Sequence, residues 1–310
     1  MAILGLHHIH LRVRDLQETR AFARDFGLHE AAVAADQKVY LHGAGTEAYQ
    51  VVLESAEMSS LAGIAFAVDG REDLNRAVAE HGAAPVFSLQ GPGGGEAVRL
   101  IDPEGTAIHL VHGIARRSPD PLRPQMIINQ GIDKARRGAT QYQPPLEPPQ
   151  LLRLGHIGLF VRDFKACDAW YRKVLGLIPS DLMYAGSPEN TIAGFYRINR
   201  GSEWVDHHTV AFFGFGKSDL HHLSFEVQNP EAQFVAHRWL ASKGHKPIWG
   251  VGRHPKGSHV FDVWREPSGY RFETYSDTDL CAADKPAGRF DITTMEMDLW
   301  TNRSHESYFA

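Results

Sequence analysis

Apolar and polar residues alternate through L-H-H-I-H-L-R-V-R-D, beginning at Leu6, and again through L-G-H-I-G-L-F-V-R-D, beginning at Leu154. Period-two alternation predicts a half-buried strand in both places. Aligned without gaps, His8 falls on His156, Val13 on Val161 and Asp15 on Asp163. Each strand leads into a helical pattern, over roughly 16–26 and 164–175, that ends in F-G-L (Phe26 to Leu28) or L-G-L (Leu175 to Leu177). A second matched pair lies further on: I-D-P-E-G-T-A-I-H-L from Ile101, and R-E-P-S-G-Y-R-F-E-T from Arg265. Six positions separate Pro103 from His109, and six separate Pro267 from Glu273. Two matches in the same order predict an internal duplication. Each copy reads as strand, helix, several short strands, a second helix (about 72–82 and 230–243), then strand, Pro-Gly turn and strand. The fold class expected from this plan is α+β.

The repeats set the expected boundaries: an N-terminal module over 1–113, a connecting segment over 114–150, a C-terminal module over 151–280 and a tail over 281–310. The connection ends in Q-P-P-L-E-P-P-Q, a composition that favours extended chain. The tail carries Met295, Met297, Leu299, Trp300, Tyr308 and Phe309. So much apolar surface is expected to pack on the body and to cover a cavity mouth.

Composition narrows the function classes. A formal charge of -5 over 310 residues, with no Lys/Arg-dense run, gives no basis for a nucleic-acid or anionic-membrane partner. No apolar run approaches the roughly 18–20 residues of a spanning helix, and the N-terminus does not read as a signal peptide. The two cysteines, Cys167 and Cys281, form no CxxC; with so few, a reducing, cytoplasmic setting is expected. Eighteen histidines are many for this length, and histidine is both the commonest metal ligand and the acid/base suited to neutral pH.

Three of the polar residues stand in strand patterns of the second copy: His156 in G-H-I-G-L-F-V, His222 in H-H-L-S-F-E-V and Glu273 in Y-R-F-E-T-Y. Two neutral imidazoles and one carboxylate on one face of an octahedral ion leave adjacent positions open, which suits Fe(II), with Mn(II) as substitute. The equivalent positions of the first copy hold His8, Gly63 and His109. One ligand is missing there and the carboxylate is replaced, so no catalytic metal is expected in the N-terminal module.

With these residues in view, the chain resembles the type I extradiol ring-cleavage dioxygenases (catechol 2,3-dioxygenase-like) of the vicinal-oxygen-chelate superfamily. The likeness covers nearly the whole chain. It rests on the ligand order His, His, Glu and on G-R-H (Gly252 to His254) followed by P-S-G-Y-R-F-E (Pro267 to Glu273). The resemblance implies two tandem modules, each of paired βαβββ units forming a curved mixed sheet around a cavity. It also implies an Fe(II) enzyme, with Mn(II) possible, that opens a substituted catechol beside its diol and incorporates both atoms of O2, within aromatic-compound degradation. A homo-oligomer, tetrameric or larger, is expected by the same likeness.

Family resemblance also implies roles for further histidines. His208, ahead of the second ligand in D-H-H-T-V-A-F-F, corresponds to the acid/base histidine that holds an oxygen and then acts as an acid; His207 beside it would face away if both lie on a strand. His254 is the second catalytic candidate and is expected to contact a substrate hydroxyl. The family usually has a tyrosine ten residues before the ligand glutamate, where this chain has Val263. Tyr275, His259 and Tyr196 are the candidates to supply the missing substrate contact. Two other readings are compatible with the pattern: a same-fold enzyme of different chemistry, hydroquinone-cleaving or 4-hydroxyphenylpyruvate-type, and a non-catalytic ligand-binding protein.

Overall fold

The structure is a computed structural model, which describes residues 1–138, 144–294, 296–301 and 303. The first half runs β1 (Ile3–Val13), α1 (Leu16–Asp25), β2 (His29–Val33), β3 (Val39–His42), β4 (Val51–Ser55), β5 (Ser60–Val68), α2 (Arg71–His81), β6 (Phe87–Ser88), β7 (Glu96–Ile101) and β8 (Ala107–His112). The second runs β9 (Arg153–Phe160), α3 (Phe164–Val174), β10 (Ile178–Tyr184), β11 (Thr191–Arg197), β12 (Val205–Asp206), β13 (Val210–Phe213), β14 (Asp219–Glu226), α4 (Pro230–Ser242), β15 (Gly252–Arg253), β16 (Val260–Arg265), β17 (Arg271–Ser276), β18 (Leu280–Cys281) and β19 (Gly288–Asp291).

The repeated sequence signals have repeated local causes. Asp15 and Asp163 are the N-caps of α1 and α3: their carboxylates accept the backbone N–H of Glu18 at 2.9 Å and of Ala166 at 3.0 Å, satisfying donors that the first helical turn leaves free. The glycines of F-G-L and L-G-L, Gly27 and Gly176, stop the two helices at φ 96° and 69°, where a side chain would be strained. α4 starts on Asn229 with Pro230 behind it, the expected N-terminal pairing.

The two large sheets share one strand order. The first is β2-β3-β4-β1-β5-β8-β7-β6; the second, read in reverse, is β19-β10-β11-β13-β9-β14-β17-β16-β15. Each therefore repeats the same mixed arrangement, and β19 adds an edge to the second. The α+β class holds. One continuous core joins the halves, from Ile9 and Phe22 in the first to Ile157, Tyr171 and Phe272 in the second. Polar ties cross over: Tyr171 of α3 donates to Asp102 in the turn of the first half at 2.9 Å, and Thr19 of α1 bonds Glu266 in the equivalent turn of the second.

Strand alternation sends odd-numbered β9 residues, Ile157 and Leu159, into this core and even-numbered ones, His156 and Gly158, to the opposite face. That face carries the site.

The chain after β18 lies on the second half. Asp298 accepts from Trp249 Nε1 at 3.0 Å and from the Arg253 N–H at 2.9 Å, and Leu299 N–H donates to Arg253 O. Leu299 and Trp300, expected to pack inward, are about half exposed; the hydrogen bonds, not these side chains, hold the segment down. Met295, Tyr308 and Phe309 lie outside the described residues. No helix among the described residues is long and apolar enough to cross a membrane.

Candidate functional site

His156, His222 and Glu273 come from β9, β14 and β17, adjacent strands in the second sheet. Register aligns them: Ser224 of β14 stands between His156 on one side and Glu273 on the other. The ligand atoms of the three residues all lie within 4.8 Å of one another, and all three are buried. His156 Nε2 is 3.1 Å from Glu273 Oε1, and Ser224 Oγ donates to the same oxygen at 2.6 Å. Among the described residues, such ligand groups occur in this half, and a second one shares His156: His156, His208 and His259.

The protonation states suit a divalent cation. Burial pushes His222 down to about 3, leaving a neutral imidazole with a lone pair. Burial alone would raise Glu273, but the His222 and His156 rings outweigh it and hold the carboxyl well below its ordinary range. Two imidazoles and one carboxylate, all buried and converging, match the donor set of a non-heme Fe(II) or Mn(II) ion, so these residues fit such a metal.

A cavity opens beside the trio. His208, His254 and His259 line it with His156 and His222. Its outer wall is apolar: Met183, Phe195, Phe213, Ile292 and Met297, with Lys256 and Glu296 the charged neighbours. His208 sits 4.4 Å from His156 between ring centroids. His254 is stacked on Phe261 at 3.9 Å, its Nδ1 2.7 Å from Met297 O. His259 Nε2 lies 3.9 Å from Glu273 Oε1. Burial holds His208, His254 and His259 below the ordinary histidine value, so each is neutral at neutral pH.

Several expectations need correction. His207 and His208 lie between β12 and β13, not on a strand, yet their rings do diverge: His208 faces the cavity and His207 turns to Asp181, 3.0 Å away. Tyr275 shares the Glu273 face and packs its ring on His156 at 4.8 Å, but its hydroxyl passes the cavity and donates to Asp206 at 3.0 Å. Tyr196 is on the other face, donating to Asp168 of α3 at 2.7 Å; its neighbour Phe195 lines the cavity instead. Val263 pairs with Glu273 across the sheet but is covered by Trp249, Phe261 and Met297, and so does not line the cavity. Of the candidates for the missing phenol, only His259 reaches the cavity. Asp181, Ser224, Met183 and Phe195 were not singled out in the sequence. Strand parity relative to the two ligands would have flagged Ser224, whereas nothing local marks Asp181.

Residues 153–274 match the model of the Glyoxalase/Bleomycin resistance protein/Dioxygenase superfamily. A manganese-dependent 2,3-dihydroxybiphenyl 1,2-dioxygenase from Geobacillus genomosp. 3 is 24% identical over 130 residues, 42% of this chain but 38% of that enzyme. Among solved structures, the Mn(II)-bound glyoxalase from Novosphingobium aromaticivorans superposes with a TM-score of 0.77 at 22% identity, covering 98% of this chain and 92% of its own. Homoprotocatechuate 2,3-dioxygenase from Brevibacterium fuscum, in complex with 3,4-dihydroxyphenylacetate, gives 0.78 at 20% identity, covering 99% and 92%. At these identities the solved structures speak for the fold: the chain is built as two tandem vicinal-oxygen-chelate modules. The stretch that matches the superfamily model, residues 153–274, carries the buried His-His-Glu trio.

Proposed function

We propose that this protein is an Fe(II)-dependent extradiol dioxygenase, with Mn(II) as the alternative ion, that cleaves a substituted catechol beside its diol and adds both atoms of O2. The observation that carries the reading is the buried His156–His222–Glu273 trio with two further histidines, His208 and His254, on the wall of the same cavity. His156, His222 and Glu273 would hold the ion, which would supply Lewis-acid chemistry toward the diol and O2.

The chain's own residues do the rest. Glu273 and the two ligand imidazoles present their lone pairs inward, and Ser224 fixes the carboxylate by its hydrogen bond. His208, neutral and facing the cavity, accepts a proton from the diol and later returns it. His254, steadied on Phe261 and by Met297 O, contacts the other hydroxyl. Met183, Phe195, Phe213, Ile292 and Met297 exclude water and favour a ring with an apolar substituent, alkyl or aryl, over a carboxylated one. By the same reading the enzyme works in aromatic-compound degradation, in the cytoplasm, as a homo-oligomer of four or more chains.

The test is anaerobic reconstitution with Fe(II), followed by oxygenation with a panel of catechols. The expected result is a yellow product whose mass equals substrate plus O2, formed most efficiently from alkyl- or aryl-substituted rings. A product lacking either oxygen atom, or full activity in Glu273→Ala, overturns the proposal.

A further inference from the structure

Asp181, His207 and His208 form a buried hydrogen-bonded line that ends at the cavity. Asp181 Oδ2 is 3.0 Å from His207 Nε2, and His207 Nδ1 is 3.1 Å from His208 Nδ1. The three residues are 5%, 1% and 3% exposed, so water does not compete for these bonds. His207 is pinned through its backbone: its N–H donates to Asp279 O at 2.8 Å, and its carbonyl accepts from Ser180 Oγ at 2.5 Å. Gly257 lies against its ring, where an added Cβ would come within 2.9 Å of Nδ1.

We infer that Asp181 and His207 are positioning residues that fix the tautomer of His208, so that it presents an unprotonated Nε2 to the cavity. A carboxylate only accepts, so His207 carries its proton on Nε2. A neutral His207 then offers a lone pair at Nδ1. The bond between the two Nδ1 atoms needs one proton, and His208 must supply it. The remaining nitrogen of His208, Nε2, is left bare, which is the form that takes a proton from a diol. When His208 gains that proton, its Nδ1–H still points along the line to Asp181, whose negative charge favours the cationic ring. The role given to His208 rests on the proposed activity; the tautomer does not.

The duplication supplies an internal comparison. In the first half, Ile9 N–H donates to Gln50 O as Ile157 N–H donates to Thr209 O, both at 3.1 Å, so Tyr49 stands where His208 stands and Ala48 where His207 stands. Ala32 pairs with Tyr40 after the same β-bulge at which Asp181 pairs with Phe195, so Ala32 occupies the place of Asp181. All three members are absent together from the half that lacks the ligand trio.

The deciding measurement is a two-bond ¹H–¹⁵N spectrum of histidine-labelled, metal-free protein at pH 8, with His208→Gln to assign the signal. The expected spectrum has His208 protonated at Nδ1 and bare at Nε2. A proton on Nε2 in the native protein overturns the inference. In Asp181→Asn, the amide can donate to His207 and invert the line, so the His208 signal should shift toward the Nε2–H form. With Fe(II) loaded, kcat should fall about 10- to 100-fold while KM and metal content stay within about twofold. An unchanged tautomer and kcat in Asp181→Asn count against the line. The native tautomer in a protein inert toward diols supports the line and refutes the proposed activity.

Discussion

The two halves share a fold and differ on one face of it. Their core-facing residues match in kind, Ile9 with Ile157, Leu11 with Leu159 and Val13 with Val161, and all are buried. On the opposite face, His8, Gly63, Ala65, His109 and Tyr49 stand where His156, His222, Ser224, Glu273 and His208 stand. In the first half the Tyr49 ring rests on His8 at 4.8 Å, and Ala48, Tyr49, Val52 and Ile114 close the space. In the second, the same space is a histidine-lined cavity. Because successive side chains of a strand point to opposite faces, one face can keep the fold while the other gains or loses chemistry.

The largest expected effect tests where the chemistry sits. Glu273→Ala should lower ring cleavage by about 1,000-fold or more and empty the metal site, since several kcal/mol of charge stabilisation go with the ion. His109→Ala, at the equivalent position, should change activity less than about twofold. Metal analysis and oxygen uptake on both variants check this, and equal losses would erase the distinction between the halves.

Acid should next expose the buried histidines of the first half. Burial, then Arg99, lowers His109 from 6.5 to about 4. A folded value below the unfolded one means that stability is complete above about 6.5 and is lost as pH falls toward 4, when the unfolded state binds the proton first. The loss due to His109 should be about 2–3 kcal/mol. Urea denaturation at pH 7.5 and 4.5 should show a smaller decline for His109→Gln than for the native chain; parallel declines would assign the acid sensitivity elsewhere.

Val263→Tyr asks whether the family's usual phenol can be restored. Trp249, Phe261 and Met297 already pack around Val263, so the larger ring should destabilise by about 1–3 kcal/mol. Thermal unfolding reads the cost; an unchanged melting temperature together with a gain in kcat would show that room exists.

The smallest effect is a predicted absence of change. Gly63→His with His109→Glu writes the full ligand pattern into the first half, but a Cβ at Gly63 would sit 3.2 Å from Ala107 O, and Tyr49 still covers His8. Bound metal should stay at the native content per chain. A doubled content would mean that ligand identity alone makes the site.

Much of the fold was legible because its signals are local. Asp15 and Asp163 announce helix starts, Gly27 and Gly176 announce stops, and alternation gives the strands, each through contacts spanning a few residues. The convergence of His156, His222 and Glu273 was legible for another reason: each stands in a strand pattern of the second copy, and the resemblance set them in one order. Tyr275 and Asp181 mark the limit. Parity places Tyr275 on the Glu273 face, but not that its hydroxyl runs past the cavity to Asp206.

What the sequence determined by itself was the duplicated plan and which residues share a strand face, because both follow from short-range geometry. Tertiary structure alone decided that His259 enters the cavity, that Tyr196 turns to α3, that Val263 is walled off by Met297, and that Asp181 reaches His207 from 26 residues away. Those contacts depend on sheet register and on how the loops close over it. Both are settled by packing between distant segments, and no local pattern records that.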